Sequence, residues 1–156
     1  MNDEKVGLFI HSGEYDKIYN ALSIAIAAVS NNIQVFCLFS YSALSQLKKE
    51  NINKIIIEND ENELTQRFSD LLKENRIQSI SDMIKMAKTT ENIKIYACSA
   101  SMNILNIKEE ELIDEFDANL SELMSEEDLQ EVADELYEGY TRDKDSRQEY
   151  DNIAED

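Results

Sequence analysis

Three runs of apolar residues have the length of strands. Lys5 to Ile10 (KVGLFI) is the first, Ile33 to Phe39 (IQVFCLF) the second, and Asn92 to Ala97 (NIKIYA) the third. The second is nearly unbroken, as suits a parallel strand covered on both faces. Between them the apolar positions take a helical period. Glu14 to Ser30 puts Ile18, Leu22, Ala25, Ile26 and Val29 on one side, with Glu14 and Asp16 in the first turn, where negative charge suits the helix dipole. Ser42 to Glu50 predicts a short helix. Glu61 to Asn75 predicts another, with Leu64, Phe68, Leu71 and Leu72 inward, and Ile77 to Thr89 a third, with Ile80, Met83, Ile84 and Ala87 inward. Lys54 to Glu58 (KIIIE) fits either a short strand or a buried loop. A helical segment is expected after Ser101, with Lys108 to Glu115 its clearest part. Strands that alternate with helices predict an α/β fold with a mainly parallel sheet and right-handed crossovers.

Charge divides the chain. Residues 1–107 hold 11 basic and 13 acidic residues, whereas residues 108–156 hold 4 basic and 20 acidic ones, net −16. This break predicts a domain over 1–117 and an acidic extension over 118–156. In the extension, Ser125-Glu126-Glu127-Asp128 fits a helix start, and Leu129, Val132, Leu136, Tyr137 and Tyr140 form one apolar stripe. From Thr141 the chain is polar and charged, and a frayed end is expected. The overall charge of −18 argues against nucleic acid and anionic membrane as partners. No apolar run approaches the ~18 residues of a membrane span. The acidic start, Met1-Asn2-Asp3-Glu4, lacks the pattern of a signal peptide, so the expected location is the cytoplasm. Proline is absent and only three glycines occur, Gly7, Gly13 and Gly139, which predicts short loops.

The chemistry-bearing positions fall at strand ends. In an open parallel sheet, sites form beyond the carboxyl ends of strands. Three such ends are His11-Ser12-Gly13, Ser40-Tyr41-Ser42 and Cys98-Ser99, which share one rim if the first strand is central. Cys98 lies between a strand and a helical segment, and a helix N-terminus favours the thiolate that makes cysteine a nucleophile. Ser99, Ala100 and Ser101 are small and leave the sulfur unshielded, and Ser99 and Ser101 offer hydroxyl donors to an anion. The competing reading is an inert packed cysteine. Cys37, inside an apolar strand, reads as a core residue, or as a resolving thiol if its Cα comes within about 7 Å of that of Cys98. His11 is either a site residue or a polar strand end, and Tyr41 either lines the rim or covers the core. Lys17 reads as a solvated surface lysine. No CxxC pair accompanies the single histidine, so no metal site is expected. No GxGxxG or P-loop occurs either, so no nucleotide and no other cofactor is expected.

The segment Lys94-Ile-Tyr-Ala-Cys98-Ser-Ala-Ser-Met102, followed by Ile107-Lys-Glu-Glu-Glu-Leu-Ile-Asp114, resembles the DsrE/DsrF-like family, closest to its peroxiredoxin-like or DsrE-like sulfurtransferase subgroup. The opening helix from Tyr15-Asp-Lys17 to Ala25-Ile26-Ala27 and the strand Val35 to Ser40 are similar too, so the resemblance covers residues 5–115. It implies a flavodoxin-like three-layer α/β/α sandwich, association into trimers or hexamers, and a role in sulfur relay. There the family cysteine, matched by Cys98, holds sulfane sulfur as a persulfide and passes it to a partner thiol. His11, Ser12, Gly13 and Tyr41 fall in the corresponding cleft by segment. The chain departs from the family at Glu115 to Met124, acidic and without glycine where members carry a hydrophobic edge strand. Either that strand survives in disguise or helix replaces it.

Three functions therefore compete. The first is a sulfur carrier or sulfurtransferase acting through Cys98, with a sulfur donor or acceptor protein as partner. The second is a non-catalytic binding or assembly module that docks a basic partner through its acidic tail. The third is a thiol peroxidase or redox sensor, which requires a resolving partner such as Cys37.

Overall fold

The structure is a computed structural model that describes residues 4–59 and 63–119. By its contacts the chain divides into Met1–Leu120 and Ser121–Asp156. The apolar stripe from Leu129 to Tyr140, and with it the expected helical extension, lies outside the described residues.

Three strands, β1 (Lys5–Ile10), β2 (Gln34–Phe39) and β3 (Ile93–Ala97), and a two-residue β4 (Ala118–Asn119) form one parallel sheet in the order β1-β2-β3-β4. The register sets Leu8 beside Cys37 and Cys37 beside Ile95, and one step on, Phe9 beside Leu38 and Leu38 beside Tyr96. Because side chains alternate across a strand, these two rows belong to opposite faces. The first face carries Val35, Cys37, Phe39, Ile93, Ile95 and Ala97, all buried. The second carries Phe9 at 80% exposure, half-buried Leu38, and Phe36 stacked on Tyr96 with ring centroids 6.5 Å apart.

Helix α1 (Tyr15–Ser30) and helix α4 (Ile80–Lys88) seal the first face. Ile18, Leu22, Ala25 and Val29 from α1, with Ile80, Met83, Ile84 and Ala87 from α4, join the strand side chains in one core. Each large aliphatic buried this way contributes about 1.5–3 kcal/mol. Helix α3 (Glu63–Lys73) is an outer layer: Phe68 sets its ring edge-on to Tyr15 and Tyr19, at 5.3 and 5.4 Å. Leu72 follows it inward, while Leu64 stays 40% exposed.

The strand order has a topological consequence. Parallel neighbours that follow chain order, joined by right-handed crossovers, place those crossovers on one side of the sheet. The α/β class with a parallel sheet is as expected from the sequence. Among the described strands, however, β1 is at an edge, and the order contains no reversal of the flavodoxin kind. The strand ends still share one rim, because all four strands run the same way.

Asparagine performs the tight turns. Asn32, Asn59, Asn75 and Asn106 have φ between 51° and 59°, and among the described residues no glycine has positive φ. A short polar side chain tolerates this left-handed region better than other non-glycine residues do. Asn106 ends helix α5 (Ser99–Leu105) in this way. The expected helix at Lys108–Glu115 is only a 3-10 turn, Glu109–Glu111. Tertiary backbone bonds take over there: Lys49 N–H donates to Glu111 O at 2.8 Å and Ile113 N–H to Leu47 O at 3.2 Å. Lys54–Glu58 is a loop rather than a strand, with Ile55 and Ile57 against the core and Ile56 half exposed. The connection from helix α2 (Tyr41–Gln46) to α3 is longer than expected. Buried Gln46 steadies it by donating from Nε2 to Asn51 O at 2.9 Å and Lys54 O at 2.7 Å.

At the far edge, β4 shows that an edge strand survives after Asp117. Asp117 N–H donates to Ile95 O at 2.8 Å, and its carboxylate accepts from Ile95 N–H at 2.7 Å and from Lys88 Nζ at 2.6 Å. Burial works against the charge, yet Lys88, the Ile95 N–H and Lys94 hold this carboxyl below its ordinary range.

Candidate functional site

The backbone ladder continues one residue past the strands. Ser40 N–H donates to Ile10 O at 2.9 Å and Cys98 N–H to Phe39 O at 3.0 Å, which fixes the three strand ends in a row. Two cavities open on this rim.

The first lies over β1 and β2. It has a volume of about 540 Å³ and is lined by His11, Ser12, Gly13, Glu14, Lys17, Ser42, Gln46 and Glu58, among others. Its wall is stitched by polar groups: Gly13 N–H donates to Ser42 Oγ at 3.0 Å, and Ser42 Oγ donates to His11 O at 3.0 Å. Gly13 is required by this closeness, since a Cβ there would stand 2.5 Å from Ser42 O. Glu14 precedes α1 and accepts from Lys17, from Ser12 Oγ at 3.1 Å and from Glu58 N–H at 3.1 Å. The Lys17 contact, opposed by desolvation and aided by Glu58 and Ser12, lowers the Glu14 carboxyl pKa. Lys17, read from the sequence as a solvated surface residue, is thus paired at the cavity wall.

The second cavity lies beside β3, with a volume of about 560 Å³. Ala97, Leu112, Ile113 and Phe116 line it together with Lys49, Glu109, Glu110 and Asp114. Phe116 sets its ring edge-on to Phe39 at 6.2 Å. Cys98 is the residue after Ala97. It occupies the position before α5, with φ −72° and ψ 110°, and its carbonyl accepts from Met102 N–H at 2.9 Å. The thiol is free and half-buried. Helix α5 has seven residues, so its end alone does not make Cys98 a site. Ser99 is half-buried and Ser101 only 1% exposed. Tyr41 is 56% exposed, with φ 50°, an unusual backbone for an aromatic residue.

The structure therefore gathers His11, Ser12 and Gly13 at one cavity, with Cys98 adjoining another. Cys98, Ser99, Ser101 and Tyr41 line neither. Ser42, Glu14, Gln46 and Glu58 were missed by sequence reasoning. Only Ser42, within a strand-end triplet, carried a signal that marked it. Among the described residues no group of three or more His, Cys, Asp or Glu is placed to hold a metal ion, and no helix is long and apolar enough to cross a membrane.

Cys37 is separate from all of this. It is fully buried, and burial pushes its thiol up to about 12. The register pairs it with Ile95, three residues before Cys98. At ~3.3 Å per residue, Cys98 is displaced by roughly 10 Å along the strand, beyond the ~7 Å reach of a disulfide.

A parallel sheet whose strands end on one rim, with a free cysteine one residue past the third strand, defines an α/β protein with a candidate thiol site. Within that class the chain is similar to the DsrE/DsrF/DrsH-like family, whose model matches residues 58–134. The match includes Cys98 and, apart from Lys49, the residues that line the cavity beside it, but not His11–Gly13, Cys37 or Tyr41. A protein of Bacillus subtilis (strain 168), "Uncharacterized protein YrkE", is 23% identical over 136 residues, covering 73% of this chain and 84% of its own. A solved structure, "Protein of Unknown Function MTH1491" from Methanobacterium thermoautotrophicum, superposes with a TM-score of 0.45 and 11% identity, over 88% of this chain and 95% of that one. The family match suggests sulfur relay at the level of the family.

Proposed function

We propose that the protein carries sulfane sulfur as a persulfide on Cys98 and yields it to an acceptor thiol. The observation that carries this reading is the placement of Cys98: a free, half-buried cysteine at the carboxyl end of a parallel strand, inside the family-matched segment. In the loading step the Cys98 thiolate attacks the outer sulfur of a donor persulfide R–S–SH. The donor S–S bond breaks, R–S⁻ leaves, and Cys98–S–SH forms. An acceptor thiolate then attacks the outer sulfur of Cys98–S–SH and regenerates the Cys98 thiolate. No oxidant or reductant is consumed in either step.

The redox reading has less support, because the roughly 10 Å displacement leaves Cys37 unable to resolve an oxidised Cys98. Association into trimers or hexamers belongs to the same proposal as the relay. Sedimentation of the full chain reads it, and a monomer at working concentration removes it. Sulfur loading is read by intact-mass spectrometry after incubation with a polysulfide donor. The expected result is a gain of one sulfur that is absent from Cys98→Ser. No gain on accessible Cys98 overturns the proposal.

A further inference from the structure

The cavity beside Cys98 has a floor and a rim of different chemistry. Its floor is apolar, with Leu112 and Ile113 buried and Phe116 half-buried. Its rim is acidic: among the described residues Glu109, Glu110 and Asp114 line it together with one lysine, Lys49. That lysine is already engaged with Asp114 at 2.7 Å. Among the described residues Glu110 pairs with Lys108, at 3.9 Å, with both side chains well exposed. The other rim cavity does not compensate, since among the described residues Glu14 and Glu58 line it with a single lysine, Lys17, that Glu14 engages. Negative potential at a cleft raises the local concentration of cations and lowers that of anions.

We infer that the cavity lined by Leu112, Phe116, Glu109 and Glu110 docks a basic, cysteine-bearing segment of a partner protein, and that this segment is the acceptor thiol of the relay. An apolar side chain of the segment meets the floor, and its flanking lysines or arginines meet Glu109 and Glu110. The partner's thiolate attacks the outer sulfur of Cys98–S–SH. The bond between the two sulfurs breaks, the partner becomes R–S–SH, and Cys98 leaves as the thiolate. Small anionic thiols are disfavoured as acceptors by the same field. The inference rests on the sulfur-carrier reading for its chemistry, but its docking half stands apart from it.

The test uses the full chain and two synthetic peptides, each with one cysteine beside one leucine. One is flanked by lysines and the other by glutamates. Sulfur transfer from persulfidated protein is expected to be about tenfold faster to the lysine peptide at low salt. In Glu109→Gln/Glu110→Gln the preference drops to about threefold or less, and added salt erodes it in the same direction. Equal rates to the two peptides overturn the inference. So does a preference that survives the double substitution, because the attraction then lies elsewhere in the acidic chain. A binding arm with cysteine replaced by serine in both peptides separates the two proposals. If Cys98 takes up no sulfur while the lysine peptide still binds through Glu109 and Glu110, the carrier reading fails and the docking surface stands. If sulfur loads but neither peptide binds preferentially, the docking inference alone fails.

Discussion

Cys37 and Cys98 belong to adjacent parallel strands, and what separates them is position along the strand. Cys37 is in the middle of β2, between Leu8 and Ile95, under helices that leave it no exposure. Cys98 is one residue past β3, where the ladder ends and the chain turns into α5. The sheet centre makes a thiol a small hydrophobe, and the rim leaves it within reach. Residue type says nothing about which role a cysteine takes; three residues of register decide it.

The largest effect that tests this contrast is chemical. Cys98→Ser is expected to abolish the gain of one sulfur, while Cys37→Ser retains it. A thiol at about 12 is ionised to roughly one part in ten thousand at pH 8, so iodoacetamide should modify native Cys37 at least about a hundredfold more slowly than Cys98. Comparable rates for the two cysteines would break the comparison.

Stability should show the reverse order. Cys37→Ser buries an unpartnered hydroxyl and is expected to cost about 1–3 kcal/mol in urea unfolding. Cys98→Ser should stay within about 0.5 kcal/mol of the parent. Gly13→Ala tests whether the rim is as tightly built as the centre. Its Cβ meets backbone atoms of Ser42 at 2.5 and 2.9 Å, which cannot swing away as a side-chain tip can. A loss of about 1–3 kcal/mol is expected. A neutral substitution would show that the strand-end loops yield.

Asp117 sharpens the comparison at the edge of the sheet. Its carboxyl pKa is depressed in the folded chain, so its stabilisation is fully present above the ordinary carboxylate range and is lost as pH falls through the folded value. Asp117→Asn should cost about 1–2 kcal/mol near neutrality, and the difference from the parent should shrink in acid. A difference of the same size at both extremes would assign the effect to packing instead. The smallest effect is expected at Tyr41, whose φ of 50° suits asparagine better. Tyr41→Asn should stabilise by about 0.5 kcal/mol, and a loss would mean that the exposed ring makes a contact the backbone cost conceals.

Legibility in the sequence followed the same divide between centre and rim. Ile80, Met83, Ile84 and Ala87 were readable as an inward face because burial imposes a 3.6-residue period, and all four are buried. The β1 and β3 runs were readable as apolar stretches of strand length, with strand ends placed to within a residue. Cys98 was readable as a strand end before any family likeness was considered. What failed depended on contacts distant in sequence. Lys108–Glu115 has helical composition, but its backbone groups are claimed by Leu47 and Lys49, some sixty residues earlier. The pairing of Gly13 with Ser42 is of the same kind, since no periodicity links a turn to a serine 29 positions on. The stretch after α2 gave no sign that Gln46 turns inward to hold a long loop.

The strand order has a consequence for how the molecule is made. Each strand from β1 to β4 adds beside the one before it, so no strand has to be threaded between two already paired. A chain emerging from its N-terminus can build this sheet at a single advancing edge, burying Cys37 as soon as β3 arrives. Cys98 follows β3 directly, so the candidate carrier residue reaches its place when the edge that supports it has just closed.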